Sequence, residues 1–295
     1  MTPRQVLLLA SAAAVLAGAA ALLLRLQGPA EPSRPLAGLQ AADVARIEVD
    51  FRGGRLALER AAGTWRLTAP LRDEADTGAA EDLSQSLRGL ALGSQVSRDP
   101  AGWADYELDE SSAVRVRVYS RASAAPVLDG WFGKPALGDS VYFRSSREPA
   151  VYLAEGVQSH ALRRGADELR SKALLSIPLG ELERLRFAGP AGFTLKKSGG
   201  SWLAEGRRLS ADQAAELVLA ASSLRFLELA PADAPAGKAG FDRPALDLSA
   251  AGGGRGERIL LGREDSGRRH AKSESRAAAG FVSKADADNL LKLLP

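Results

Sequence analysis

The sequence has no cysteine, one methionine and only two histidines in 295 residues. Without a thiol, disulfide scaffolds, zinc ribbons, Fe–S clusters, thiol catalysis and a lipidated cysteine anchor are all excluded. Nor is there a large excess of one charge: 39 Lys+Arg face 36 Asp+Glu, a formal net charge of +3. Arginine outnumbers lysine by 31 to 8, but the arginines are scattered among acidic residues. A nucleic-acid surface would gather them in a stripe with aromatics between, so no nucleic-acid partner is expected. Hydrophobic residues at 45% and charged residues at 25% exclude wholesale disorder. At roughly 100–200 residues per domain the length suits one large domain or two medium ones.

One long apolar run is present. Val6 to Leu24 holds 19 uncharged residues with Ser11 as the single polar side chain. At about 1.5 Å per residue a helix here reaches roughly 28 Å, close to the ~30 Å hydrocarbon core. Ala17-Gly18-Ala19 resembles a signal-peptidase site, but Ala20 to Leu24 continue the apolar run beyond it. Gly28-Pro29-Ala30 is a later alternative. A signal anchor over residues 1–26 is favoured over a cleaved signal, giving a single-pass inner-membrane protein. Arg4 before the span and Arg25 and Arg34 after it leave the positive-inside count nearly tied. The body is placed in the periplasm, since the short leading tail leaves nothing else to export. Residues 27–39 hold Pro29, Pro32 and Pro35 and read as a semi-rigid linker.

The rest reads as one pattern written twice, over 40–175 and 176–295. Ile47, Val49 and Phe51 alternate with Glu48 and Asp50; a turn at 52–55 leads to Leu56 and Leu58, and a second at 62–64 to Trp65 and Leu67. The second copy offers Leu185 and Phe187, a turn at 189–192, Phe193 and Leu195, then a turn at 198–201 and Trp202. Ala80, Leu83, Leu87 and Leu90 repeat the intervals of Ala214, Leu217, Ala221 and Leu224, one amphipathic helix per copy. Asp76 or Thr77 can cap the first helix, and Ser210 with Gln213 forms a capping box on the second. Tyr152-Leu153 follows Gly133 by 19 residues, as Phe281-Val282 follows Gly262. Short helices near 157–169 and 285–294 close the copies. The expected class is α+β: two tandem repeats after a transmembrane helix, each an antiparallel meander, an amphipathic helix and further strands. Trp65, Trp202, Gly133 and Gly262 are its structural anchors.

Leu56 to Arg60, Gly63 to Pro70, Ala75-Asp76, Phe132 to Pro135, Val141 to Arg144 and Val151 to Leu153 together resemble the bacterial family known as domain of unknown function 4340. The resemblance runs from about Leu36 to the end and is strongest between Val44 and Leu153. Leu169-Arg170 stands where many members carry Trp-Arg, and His270-Ala271 where the first copy has Val141-Tyr142. Similar proteins stand beside ABC-type transport components and gliding-motility-like auxiliary proteins. The resemblance therefore implies an accessory envelope role with partners such as a permease and its ATPase, and supplies no catalytic residues.

Candidate chemistry is thin. His160 and His270 sit in similar late parts of their copies; His160 has no acid at helical spacing before it, and His270 lies among Arg268, Arg269 and Lys272. Gly138-Asp139-Ser140 and Glu264-Asp265-Ser266-Gly267 resemble hydrolase blocks but fall in turns, without the strand–elbow–helix context. Gly252 to Gly256 precedes a strand, the reverse of a phosphate cradle. Asp105, Glu107, Asp109 and Glu110 around Tyr106 lack the central Gly and final Glu of an EF-hand loop. No catalytic, cofactor or metal residue is assigned. Val114 to Val118 is a candidate edge for a partner's strand. The expected function is a non-enzymatic envelope accessory protein; the alternative is a glycan- or peptidoglycan-binding module using exposed Trp103, Tyr106 or Trp131.

Overall fold

The structure, a computed structural model, describes residues 33–40, 43–61, 63–189, 192–230, 239–276 and 278–295. The expected anchor at Val6 to Leu24, residues 27–32 of the Pro-rich linker, and parts of the turns at 62–64 and 189–192 lie outside them. In chain order the elements are β1 (Arg34–Pro35), α1 (Ala37–Gln40), β2 (Val44–Phe51), β3 (Gly54–Ala61), β4 (Thr64–Ala69), β5 (Asp73–Glu74), α2 (Thr77–Arg88) and β6 (Ala91–Ser97). A 3-10 helix (Pro100–Tyr106) precedes β7 (Val114–Ser120), β8 (Leu128–Pro135), β9 (Val141–Ser145), β10 (Val151–Glu155), α3 (Ser159–Leu162) and α4 (Ala166–Leu169). Then come β11 (Leu182–Phe187), β12 (Phe193–Ser198), β13 (Ser201–Glu205), α5 (Ala211–Ser223) and β14 (Phe226–Leu229). The last elements are β15 (Leu246–Gly252), β16 (Arg255–Asp265), β17 (Arg268–Ser273), β18 (Ala278–Ser283) and α6 (Lys284–Leu293).

The α+β expectation is corrected here. The described residues are mostly β, with 46% strand against 21% helix and two large antiparallel sheets. The apolar stripes do form helices, but each covers part of a sheet of many strands rather than making a layer of equal weight. Among the described residues no helix is long and apolar enough to cross a membrane.

Two compact units form. The first joins the described residues of Met1–Arg55 to Glu81–Arg164; the second joins Leu56–Ala80 to Gly165–Pro295. They are thus interleaved along the chain, because the β3–β4–β5 meander belongs with the later residues. In the first unit the strands run β1-β6-β10-β9-β8-β7-β2, and in the second β13-β12-β11-β15-β16-β17-β18-β14. Element for element, β6-β10-β9-β8-β7-β2 has the order of β14-β18-β17-β16-β15-β11.

Alternation decides the faces. Ile47, Val49, Val114, Val116, Val118, Phe132 and Phe143 are buried on one side of the first unit's sheet, while the intervening charged residues point to the other. Strand β7 pairs with β2 on one side and β8 on the other, so Val114 to Val118 is interior and not a sheet edge. Arg34 and Pro35, within the Pro-rich linker, instead pair with Leu92 and Ala91 as a short edge strand. In the second unit Ala214, Leu217, Val218 and Ala221 of α5 are buried against the sheet core. Ser210 Oγ accepts from Gln213 N and Gln213 Oε1 from Ser210 N, completing the expected capping box. Asp76 caps α2 through Ala79 N at 3.0 Å. The closing helices are shorter than expected after β10, where two single turns replace one helix.

Candidate functional site

On the outer face of the first unit's sheet, cross-strand partners alternate charge and ring. Asp50 stands opposite Arg115, Arg115 opposite Trp131, and Trp131 opposite Arg144. The Arg144 guanidinium lies 3.6 Å from the Trp131 ring centre and 4.0 Å from that of Trp103, and Arg115 lies 4.7 Å from Trp131. Arg144 is 5% exposed, and its Nε donates to the Leu108 carbonyl at 3.0 Å. No carboxylate forms an ion pair with it among the described residues, and burial pulls its pKa below the ordinary value. The two indole faces take the place of a counter-ion.

The next row is Glu48, Arg117 and Asp129. Glu48, 6% exposed, is reached by Arg55 at 2.9 Å, Arg117 at 3.3 Å and Arg46 at 3.6 Å. The Tyr119 hydroxyl donates to it at 3.3 Å. Arg115 donates to both Asp129 oxygens at 2.9 Å, which holds the carboxyl below its usual range and raises the guanidinium.

The aromatics expected to meet a glycan are therefore engaged by protein groups. Trp103 and Trp131 sandwich Arg144, Trp103 Nε1 donates to the Pro149 carbonyl at 3.2 Å, and Tyr106 leans on Tyr142 at 4.8 Å between ring centres. A sugar stacking between these indoles would have to displace a buried arginine.

The second unit holds a buried ion cluster. Asp73 receives Arg170 Nε on Oδ2 at 2.9 Å and Arg276 Nε on Oδ1 at 3.0 Å, with side-chain exposures of 1%, 7% and 4% in that order. Arg276 also donates to the Ser171 carbonyl at 2.8 Å and to that of Ala173. One carboxylate thus ties β5 to the segment after α4 and to the β17–β18 turn. Asp73 and Arg276 line an open pocket of about 510 Å³ that Arg66, Arg72, Glu59 and Glu74 also line. Its charges balance, three basic against three acidic.

The anchors lie where backbone geometry requires them. Trp65 and Trp202 are 1% and 8% exposed, both core residues. A Cβ on Gly133 would stand 2.0 Å from the Tyr106 carbonyl oxygen, and one on Gly262 2.0 Å from that of Ala239. Only glycine permits either approach.

The remaining candidates do not assemble a reaction. Asp139, Ser140 and His160 line one pocket of about 450 Å³, but the Ser140 hydroxyl donates to the Leu137 carbonyl at 2.7 Å. His270 packs between Phe281 and Phe241, 4.4 and 6.5 Å between ring centres. Asp109 accepts from Ser111 N at 3.0 Å in a turn, and this serine's hydroxyl holds its pKa low. Among the described residues no three His, Asp or Glu side chains gather as metal ligands.

Sequence reading missed Asp73, Arg170, Arg276 and Arg144, which separate into clusters only once the strands pair. Arg170 had one signal, the Leu169-Arg170 step at which the family resemblance departs.

Comparison with known families decides the relationship. The family described as Domain of unknown function (DUF4340) matches residues 65–244. The chain belongs to this family. The match starts at the core Trp65 of the first meander and runs past Trp202 of the second, so it takes in residues of both units. No curated protein and no solved structure matches the chain.

Proposed function

We propose that this DUF4340 chain is a non-enzymatic, membrane-tethered accessory protein of an envelope ABC-type transport or motility-like assembly, with its body in the bacterial periplasm. The observation that carries this reading is the bare edge that β13 leaves on the eight-stranded sheet. Strand β13 pairs with β12 alone among the described residues, whereas the start of β14, beyond its pairing with β18, is also met by the segment after α4, where Phe226 N donates to the Lys172 carbonyl at 2.7 Å. Each exposes a leucine, Leu203 at 54% and Leu227 at 57%. Open edges with apolar side chains are costly to leave unprotected and suit partner proteins. The apolar run Val6 to Leu24 supplies the tether, and the pairing of Arg34–Pro35 with β6 seats part of the linker on the body.

The test is a C-terminal affinity tag on the native chain, mild crosslinking, detergent solubilisation and mass spectrometry. Stoichiometric recovery of a permease and its ATPase is expected. Recovery of the chain alone, or of glycan fragments, overturns the reading. Removing residues 6–24 is expected to abolish function and leave the body folded.

A further inference from the structure

The two meanders differ at their outer strand. In the first, β4 is covered by β5: Glu74 stands opposite Arg66 and Asp73 opposite Leu67. The covering strand is two acidic residues. In the second meander Trp202 takes the place of Trp65 and β13 that of β4, and β13 pairs only with β12 among the described residues. Its register runs without a bulge from Ser201 to Glu205, and it holds no proline and no lysine. Glu205, at its end, is the one charged side chain on the strand.

The surface beside this edge is basic. Arg184, Lys196 and Leu203 form one outward row across β11, β12 and β13, and Arg186, Thr194 and Glu205 form the next. Lys196 pairs with Glu205 at 2.7 Å. Arg184 and Arg186 are exposed, as are Arg207 and Arg208 just after β13, and none has an ion pair among the described residues. The exposed acids on these strands are Glu183 and Glu205.

We propose that β13 accepts an added strand from a partner protein, an acidic extended segment with an apolar residue opposite Leu203. Backbone groups of β13 supply the pairing, Leu203 supplies apolar contact, and the four unpaired arginines set the preference for acid. The inference rests on the accessory reading above and names the chemistry of the partner's contact.

The probe is a fluorescein-labelled peptide, acetyl-Glu-Asp-Val-Asp-Glu-amide, titrated into the detergent-solubilised full chain, with a Lys/Arg-for-acid peptide as control. Saturable binding by anisotropy is expected, together with slowed amide exchange at residues 201–205. Leu203→Glu and the pair Arg184→Glu/Arg186→Glu are each expected to weaken binding by about tenfold or more. Their far-UV circular dichroism should match the parent, since all three side chains are exposed. Equal binding of the basic peptide, no anisotropy change, affinity indifferent to both variants, or protection outside β13 overturns the proposal. So does a homodimer that Leu203→Glu dissolves, because a second copy then owns the edge. Peptide failure with a permease still co-purifying removes the edge assignment alone. Peptide binding without co-purification removes the accessory reading and leaves the site.

Discussion

The same order of strands is finished differently at its two outer meanders. The first closes its edge with β5 and places Asp73 there, in a buried grip between Arg170 and Arg276. Among the described residues the second ends on β13, uncovered, with Leu203 exposed and four arginines without an ion pair nearby. One edge has become internal stitching and the other remains open. The difference teaches that a repeated topology leaves its edges free to diverge, because edge residues answer to whatever pairs with them and not to the shared core. The first unit's outer sheet face makes the same point, since its charges are locked into rows with Trp131 and Tyr119.

The largest effect is expected from breaking the stitch. Asp73→Ala leaves the buried Arg276 without a carboxylate and Arg170 with Asp167 alone, at 3.4 Å, and should cost about 3–5 kcal/mol, read as a fall in the urea midpoint of unfolding. The open meander offers the contrast: Leu203→Ala changes an exposed side chain and should stay within about 0.5 kcal/mol. An Asp73→Ala loss no larger than that of Leu203→Ala would show that the cluster is ornamental to stability.

Features common to both halves come next. Gly133→Ala and Gly262→Ala each drive a Cβ to 2.0 Å from a backbone carbonyl oxygen, so the strand or its neighbour must move. A loss of about 1–3 kcal/mol or more is expected for each. Gly256→Ala is the control, its nearest atom being 4.0 Å away. Similar small losses for all three would contradict the close approach.

Much of this was legible in the sequence and some was not, for physical reasons. Alternation at Ile47-Glu48-Val49-Asp50 gives a strand whatever lies beside it, and the Ser210/Gln213 box acts within one turn. The spacing repeated around Gly133 and Gly262 marks a backbone contact without naming the other side. Class was misjudged because two amphipathic helices are conspicuous in one dimension, while the number of strands gathered in each sheet is not. Neighbour identity is likewise non-local: Val114 to Val118 reads as an edge until β2 and β8 take both its sides. Asp73 and Arg276 lie 203 positions apart, beyond the reach of any spacing rule.

Arg144 belongs to the first unit alone. Arg144→Ala removes the cation from between Trp103 and Trp131, and a loss of about 2 kcal/mol is expected from a desolvated cation–π pair. Intrinsic tryptophan fluorescence should shift with it. Stability unchanged by this substitution, with tryptophan emission also unmoved, would mean that the indoles do not rest on the arginine.

The smallest effect concerns an inter-strand bridge both units share with its roles exchanged. Asp129 of β8 is held by Arg115 of β7, whereas Asp247 of β15 is held by Arg258 of β16, at 2.9 and 2.8 Å. In both, the arginine's hydrogen bonds depress the carboxyl pKa. A depressed folded pKa contributes stability that is fully present above the unfolded value, about 3.9, and is lost as pH falls through the folded one. Asp129→Asn and Asp247→Asn should therefore each cost up to about 1 kcal/mol at neutral pH, as half-exposed pairs do. The gap between variant and parent should close as the medium is acidified below the unfolded carboxyl pKa. Urea midpoints measured across that range decide it. A gap that persists in acid would assign the loss to packing or hydrogen bonding rather than to the carboxylate's charge, and a gap in one unit only would mean that the exchanged roles are not equivalent.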